Sequence, residues 1–238
     1  MDNVKITWLC QGGFLFEYKG SRIVVDPYMS DILAERGFNR LVPPPIPYDE
    51  LKPDCICFTH DHIDHFDEIT VSEIVSRYPS CKYFGVFSTQ AHYAKMGFNL
   101  EKFTLLEKHK SQDVCGAKII PVMAKHSDAY ALGFVFDFGG KKIWLSGDSE
   151  FDLAIAEDVL SITDNNLDVA IICINGKLGN MNSDDAVALV RAINPKLAIP
   201  MHFGLFAGNT ADPTPFKRDL ESANISCKVL DAGESIEI

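Results

Sequence analysis

Short apolar runs separated by glycine-containing turns open the chain. The first three runs are Lys5–Cys10, Phe14–Tyr18 and Arg22–Val25. This pattern is typical of short strands joined by tight turns. The stretch Tyr28–Lys52 is rich in proline and lacks such a pattern. It is either an irregular loop over one face of the fold, long enough to suggest a function, or a linker between domains.

Strands and helices alternate over much of the remaining chain. The predicted strands are Cys55–Phe58, Lys82–Phe87, Ala117–Met123, Leu132–Phe138, Lys141–Leu145, Asp168–Ile174, Leu197–Met201, Lys228–Leu230 and Ser235–Ile238. The predicted helices run from Phe66 or Asp67 to Tyr78, from a cap at Ser88 to Met96, and over Phe151–Leu160, Asn182–Ile193 and Asp212–Ala223. Antiparallel strands followed by alternating strands and helices favour mixed sheets with helices packed outside them.

Composition narrows the class of protein. Of the 238 residues, 47% are hydrophobic and 23% are charged, as in ordinary globular proteins. The net charge of −11 argues against nucleic-acid binding, which needs Lys and Arg to neutralise phosphates. No apolar run reaches the ~18 residues of a membrane-spanning helix. The first residues show no basic start followed by an apolar stretch, so we expect a cytoplasmic protein.

The seven cysteines fit the same compartment. Their number is odd and most lie inside apolar runs, which predicts reduced, buried thiols. Cys55 and Cys57 form a C-x-C pair whose side chains would face one side of a strand. This pair is only a weak signal for zinc or redox chemistry.

The segment after the predicted strand Cys55–Phe58 concentrates metal-binding side chains. Its motif is His60-Asp61-His62-Ile63-Asp64-His65. In a turn that leaves a strand end, His60 and His62 can converge on one metal ion. Asp64 and His65 can then turn toward a neighbouring ion. Imidazole together with carboxylate suits Zn, Mn or Fe(II).

Three more candidate ligands follow predicted strands, where a rigid scaffold can position them. His126 follows Ala117–Met123, Asp148 follows Lys141–Leu145, and His202 follows Leu197–Met201. Their repeated placement favours a metal site over isolated structural histidines. The remaining histidines, His92 and His109, are interpreted as surface residues.

The order of these residues resembles the metallo-β-lactamase superfamily over nearly the whole chain. The matching positions are Asp26, His60, His62, Asp64, His65, His126, Asp148 and His202. The resemblance implies an α+β fold, a four-layer αββα sandwich in one domain over residues 1–238. It also implies that His60, His62 and His126 hold one metal, that Asp64, His65 and His202 hold a second, and that Asp148 bridges them. Asp26 would orient a ligand or the loop.

A closer resemblance lies in the loop Ile174–Asn182, together with Pro200–Phe203 and Asn209–Pro213. These segments resemble the L-ascorbate-6-phosphate lactonase family. That implies a metal-dependent hydrolase that opens the lactone of a sugar acid, phosphorylated or not. In such a reaction Asp148 would orient the attacking water. Asp64 or a metal-bound water would give the leaving group its proton.

A small anionic substrate needs polar partners in this acidic protein. Lys125 and Lys177 are candidates to pair with a phosphate, and Asn175 and Asn180 are candidate hydrogen-bond donors. The expected cofactors are one or two divalent ions, Mn or Zn before Fe. The loop Leu41–Pro47 could form a wall of the site or a contact in a homo-oligomer.

Other functions stay open at this point. The same ligands would serve a phosphodiesterase or another lactone or ester hydrolase of the superfamily. An Fe(II) enzyme that uses oxygen also employs histidine and carboxylate ligands. A binding or regulatory protein could keep the metal for folding alone.

Overall fold

Two seven-stranded sheets organise the computed structural model, which describes residues 3–238. The first sheet contains β1 (Lys5–Trp8), β2 (Phe14–Tyr18), β3 (Ser21–Val25), β4 (Cys55–Phe58), β5 (Lys82–Gly85), β6 (Phe103–Leu105) and β14 (Ser235–Glu237). Its strand order is β14-β1-β2-β3-β4-β5-β6. The strands from β14 to β3 pair antiparallel, and those from β3 to β6 pair parallel.

The second sheet repeats this mixture of directions. It contains β7 (Gln112–Val114), β8 (Ala117–Met123), β9 (Leu132–Asp137), β10 (Lys142–Leu145), β11 (Val169–Cys173), β12 (Leu197–Met201) and β13 (Ser226–Cys227). Its order is β13-β12-β11-β10-β9-β8-β7. The strands from β7 to β10 are antiparallel, and β10 to β13 are parallel.

Within residues 3–238, six helices accompany the sheets. They are α1 (Tyr48–Leu51), α2 (Glu68–Arg77), α3 (Phe87–Lys95), α4 (Leu153–Thr163), α5 (Ser183–Ile193) and α6 (Pro213–Ser222), and single 3-10 turns occur at Ile32–Arg36 and Leu100–Lys102. The side chains of Asp67, Asp152, Asn182 and Asp212 accept hydrogen bonds from the first turns of α2, α4, α5 and α6. These caps satisfy amides that a helix leaves without partners.

Aromatic side chains fill the space between the sheets. Phe16 of β2 lies 5.2 Å from the Phe136 ring of β9 and 5.7 Å from the Phe138 ring, measured between centroids. Outside the first sheet, α2 buries Val71 and Ile74 in a second apolar cluster. Helices α4, α5 and α6 pack on the second sheet. The α+β fold with helices flanking two mixed sheets is therefore confirmed.

Most predicted elements are confirmed within a few residues of their ends. The strand predicted over Lys82–Phe87 is too long, because Phe87 already begins α3 and Val86 precedes that helix. Ser88 is not a cap, since its hydroxyl donates to Asp128 Oδ2 at 2.6 Å. The predicted strand Lys228–Leu230 is also wrong, because pairing with β12 involves Ser226–Cys227.

Two short strands were not predicted from the sequence. Phe103–Leu105 and Gln112–Val114 have three residues each, which is too few for a pattern to stand out. All seven cysteines are free thiols, and five of them are buried, as predicted. Among residues 3–238, no helix has the length and apolar character needed to cross a bilayer.

Truncation of Phe16 tests the packing between the sheets. We expect Phe16→Ala to lower the free energy of unfolding by about 3–5 kcal/mol, because it removes a fully buried ring. Urea denaturation of the metal-free protein measures this change. Phe87→Ala is the matched control, since that ring is 51% exposed and should cost much less. Equal losses in the two variants would contradict the assignment of Phe16 to the core.

Candidate metal centre

The turn that carries the histidine motif leaves the carboxyl end of β4. The backbone amides of His65 and Phe66 both donate to the His62 carbonyl, at 2.9 and 2.7 Å. This compact turn brings the His60 ring within 4.6 Å of the His62 ring and 4.1 Å of the His65 ring, between centroids. Helix α2 starts directly afterwards, which anchors the turn on a rigid element.

Three imidazole nitrogens converge at this edge of the sheets. His62 Nδ1 lies 3.1 Å from His60 Nε2 and 3.0 Å from His126 Nε2. Ligand nitrogens about 2.0–2.1 Å from a tetrahedral zinc ion lie roughly 3.3 Å apart. His60, His62 and His126 could therefore hold one divalent cation.

The outer nitrogen of each of these rings lies next to an oxygen atom. The pairs are His60 Nδ1 with Thr59 Oγ1 (2.9 Å), His62 Nε2 with Ser127 Oγ (3.2 Å) and His126 Nδ1 with the Gly179 carbonyl (3.1 Å). The carbonyl can only accept, so the proton of His126 belongs on Nδ1. A proton on each outer nitrogen leaves the inner lone pair free for a metal.

Asp148 lies between this trio and a second group of candidate ligands. The second group is Asp64, His65 and His202. The Asp148 carboxylate lies 3.3 Å from His65 Nε2 and 3.1 Å from His202 Nε2. It also lies 3.9 Å from His126 Nε2 of the first trio. One carboxylate therefore reaches toward both groups.

Asp26 supports the rings from the protein side. Its carboxylate accepts from the Thr59 amide at 2.8 Å, from the Thr59 hydroxyl at 2.5 Å and from His65 Nδ1 at 2.8 Å. The same Thr59 hydroxyl accepts from His60. Although Asp26 also lies close to His60 and His65 as a candidate ligand group, its oxygens are already occupied by hydrogen bonds. This geometry suits orientation of the two rings.

Buried polar atoms without partners test whether a metal fits. Among residues 3–238, His65 Nε2 and Asp148 Oδ1 are both buried and make no hydrogen bond, although they are 3.3 Å apart. Unpaired buried polar atoms are costly, and His65 Nε2 also lies 3.9 Å from Asp64 Oδ2 of the second ligand group. A divalent cation would satisfy both, so the donor set fits a metal.

Charge within the cluster is balanced by protonated imidazoles when metal is absent. Burial acts to lower the pKa of His202, but Asp148 and Asp64 raise that pKa to about 9. Burial acts to raise the pKa of Asp148, but His202 and His65 hold it well below its usual range. By contrast, burial and the neighbouring His65 lower the pKa of His60, which keeps that ring neutral. A bound cation would replace the imidazolium charge.

Two residues of the β1–β2 turn belong to the centre and were missed in the sequence. Gln11 Nε2 donates to Asp64 Oδ2 at 2.8 Å and lies 3.1 Å from His202 Nε2. Gly12 lies under His65, since a Cβ atom there would stand 2.5 Å from His65 Cε1. The Gly12-Gly13 pair had indicated only a turn. No local signal in the sequence distinguishes a turn glycine from one that makes room for a ring.

A cavity of about 500 Å³ opens in front of these groups. His62, Asp64 and Asp148 contribute to its lining. Its apolar wall consists of Leu33, Phe38, Ile63, Leu178 and Phe206. The loop Tyr28–Lys52 therefore supplies part of a wall. Leu41–Pro47 is not among the residues lining this cavity.

The four predicted substrate-binding residues are placed differently. Lys125 Nζ lies 3.9 Å from Glu150 and 3.8 Å from Asp152, and Lys177 Nζ donates to the Gly208 carbonyl at 3.1 Å. None of the four residues lines the 500 Å³ cavity.

Two asparagines of the loop after β11 make contacts within the protein. Asn180 Nδ2 donates to Asp148 Oδ2 at 2.8 Å, and Asn175 Nδ2 donates to Asn209 Oδ1 at 2.7 Å. A role of either residue in substrate binding stays a prediction. Asn180 also has a structural role, because it donates a hydrogen bond to the Asp148 carboxylate between the two ligand groups.

His92, which was interpreted as a surface residue, is half-buried on α3. Its side chain is only 18% exposed, and its ring lies 4.6 Å from the Phe66 ring. Its nitrogens contact Asp61 at 2.6 Å and Glu68 at 2.7 Å. His109 is exposed, as predicted, and contacts Asp158.

Comparison with known proteins defines the class. A family model described as a beta-lactamase superfamily domain matches residues 5–202. The chain therefore belongs to the metallo-β-lactamase superfamily. The metallo hydrolase Igni18 from Ignicoccus hospitalis superposes with a TM-score of 0.82 at 23% identity, covering 99% of this chain and 98% of that one. This likeness supports the fold.

Sequence relatives place the chain more narrowly, among the UPF0173 metal-dependent hydrolases. A member from Methanosarcina barkeri is 30% identical over an alignment of 247 positions that covers 100% of both chains. Another, from Methanosarcina mazei, is 27% identical over 253 residues, again with 100% of both covered. The chain is thus a metal-dependent hydrolase. Their names specify no substrate, so the lactonase resemblance stays a prediction.

Substitution of Gly12 tests the support of His65. We expect Gly12→Ala to lower the zinc content of the purified protein, because the added methyl group would push the His65 ring from its position. Metal analysis after dialysis measures this loss. Gly208→Ala is the matched control, since the nearest atom to its added methyl is 3.9 Å away. Full zinc occupancy in Gly12→Ala would contradict the close contact.

Metal uptake is also expected to release protons. A coordinating imidazole must be neutral, whereas His202 has a pKa of about 9 without metal. Near neutral pH, zinc binding should release at least one proton, and apparent affinity should rise up to about tenfold per pH unit for each proton released. Above about pH 9 this rise from His202 should stop.

Calorimetric titration with zinc in buffers of different ionisation enthalpy counts these protons. The exposed variant His109→Gln should release the same number as the unmodified protein. Zinc binding without proton release near neutral pH would show that His202 is already neutral.

Proposed function

We propose that the chain hydrolyses a lactone or a related ester with two divalent ions, Mn or Zn, held at the centre. His60, His62 and His126 would bind one ion, and Asp64, His65 and His202 the other. The observation that carries the proposal is the position of Asp148, 3.1 Å from His202 and 3.9 Å from His126. A carboxylate so placed can bridge two ions and face the cavity at once.

Divalent ions bound there would polarise a carbonyl oxygen and lower the pKa of a water molecule toward ~7. The protein side chains would orient the water molecule and transfer the proton. Asp148, held by Asn180, would accept a hydrogen bond from the attacking water and fix its direction. Asp64 lines the cavity with a side chain that is 16% exposed. Burial acts to raise its pKa, but His65 and His202 lower that pKa, so Asp64 starts as a carboxylate. It would take up the proton that the attacking water loses and pass it to the leaving oxygen. Gln11 would keep Asp64 in position through its 2.8 Å hydrogen bond.

The substrate proposed is a small anionic lactone. Similarity of the loop Ile174–Asn182 to the L-ascorbate-6-phosphate lactonases supports a sugar-acid lactone such as L-ascorbate 6-phosphate. The cavity of about 500 Å³ supports a small molecule of this size. The acidic surface of the protein, with its net charge of −11, supports a small-molecule partner over nucleic acid.

Asp148→Asn tests the proposal. We expect at least about 100-fold lower kcat, because the amide loses the negative charge that would bridge the ions and orient water. Hydrolysis of L-ascorbate 6-phosphate, followed through its ene-diol absorbance, and of a panel of simple lactones and esters measures the effect. Asp164→Asn removes the same charge from a side chain that is 88% exposed and should keep full activity.

Two outcomes separate the parts of this proposal. Undiminished turnover in metal-loaded Asp148→Asn would refute the bridging role. If the unmodified protein hydrolyses other lactones or esters but leaves L-ascorbate 6-phosphate intact, only the sugar-acid substrate is refuted.

A further inference from the structure

The cavity in front of the metal centre has a single lysine or arginine in its described lining, Arg36. Three carboxylates, those of Asp61, Asp64 and Asp148, line the same cavity. These three carboxylates would therefore repel an anionic substrate wherever bound metal does not neutralise their charge. Arg36 offers the opposite charge on a different segment of the wall.

The guanidinium of Arg36 is available for a ligand. Within residues 3–238, no carboxylate lies within 4.0 Å of it, and no hydrogen bond to its side chain is formed. Four of the six arginines, namely Arg22, Arg40, Arg77 and Arg218, do have a carboxylate partner. Arg191 also has no carboxylate partner and, like Arg36, is exposed, but it lies on α5 outside the cavity.

The backbone that carries Arg36 is fixed. Arg36 ends the 3-10 turn Ile32–Arg36, and Gly37 closes it with a left-handed φ of 85°. The next ring, Phe38, packs edge-on against Phe206 with centroids 5.7 Å apart. The Leu41 amide donates to the Leu205 carbonyl at 2.8 Å, which ties the loop to the segment after β12. Binding of a ligand by Arg36 therefore does not require the backbone to become ordered.

Part of the cavity wall is apolar. Leu33 and Phe38 come from the same loop as Arg36, and Ile63 comes from the histidine turn. Leu178 reaches the cavity from the loop after β11 with a side chain that is 67% exposed. These side chains can pack against the hydrocarbon part of a substrate, whereas Ser127 and Asn209 of the same cavity can form hydrogen bonds with polar groups.

We infer that Arg36 binds an anionic group, a carboxylate or a phosphate, that the substrate carries away from its scissile bond. This inference rests on the proposed hydrolase function and names the substrate class for it. Guanidinium groups bind both anions through paired hydrogen bonds. Lys125 and Lys177, which lie outside the cavity, do not take this part.

Two esters that differ at one end test the inference. The p-nitrophenyl ester of hexanoic acid and the mono-p-nitrophenyl ester of adipic acid differ in a terminal methyl against a carboxylate. With zinc-loaded protein we expect the adipate ester to have the lower KM. Arg36→Gln should raise the KM of the adipate ester about tenfold, leave its kcat unchanged, and leave the KM of the hexanoate ester unchanged.

Arg191→Gln is the matched control, because it removes the same charge from an exposed arginine without a partner. It should change neither KM. An ester with a terminal phosphate is compared with the adipate ester. The anion that Arg36 prefers is that of the ester whose KM rises more in Arg36→Gln. Equal KM values for the adipate and hexanoate esters in the unmodified protein, or an equal rise of both in Arg36→Gln, would overturn the inference.

A binding measurement separates this inference from the hydrolase proposal. If neither ester is hydrolysed, calorimetric titration with the monoamide of adipic acid and with hexanamide still measures whether Arg36 binds the terminal carboxylate. Tighter binding of the adipate monoamide that disappears in Arg36→Gln would support the anion site even though ester hydrolysis had failed. No preference for the adipate monoamide would overturn the anion site.

Discussion

The buried carboxylate of Asp26 is the contact on which the metal centre depends. It accepts hydrogen bonds from Thr59 and from His65, and Thr59 in turn contacts His60. One ring from each of the two candidate ligand groups is thus oriented by a single side chain. Asp26 follows β3 and Thr59 follows β4, which are neighbours in the first sheet. The pairing of β3 with β4 therefore also helps to set the orientation of the His60 and His65 rings.

Residues in the left-handed backbone region surround the centre. Several non-glycine residues there have left-handed φ angles: Cys10 (78°), Gln11 (51°), Asp26 (43°), Leu178 (55°) and His202 (67°). Such conformations cost on the order of 1–3 kcal/mol each and persist where the surroundings enforce them. The two packed sheets provide that enforcement. Their parallel strands end at the same edge, so the loops that carry ligands leave rigid elements.

The same arrangement links the centre to substrate recognition. The loop after β11 donates from Asn180 to Asp148, accepts from His126 at Gly179, and contributes Leu178 to the cavity. The loop after β3 likewise contains Asp26 at one end and Arg36 further on. Each loop thus serves the metal centre and the cavity wall together. Variation in these loops can alter the substrate while the ligands stay in place.

The sequence alone determined the class of fold, most of the elements and the candidate ligands, because apolar periodicity and the H-x-H-x-D-H motif are local signals. It could not find Gln11, Gly12 or Arg36, whose neighbours in space lie far away along the chain. It also suggested Lys125 and Lys177 by charge, whereas the tertiary structure turns them toward Glu150, Asp152 and the Gly208 carbonyl. Residue type fixes which chemistry a side chain can perform. Packing of the two sheets decides which side chains face the same cavity.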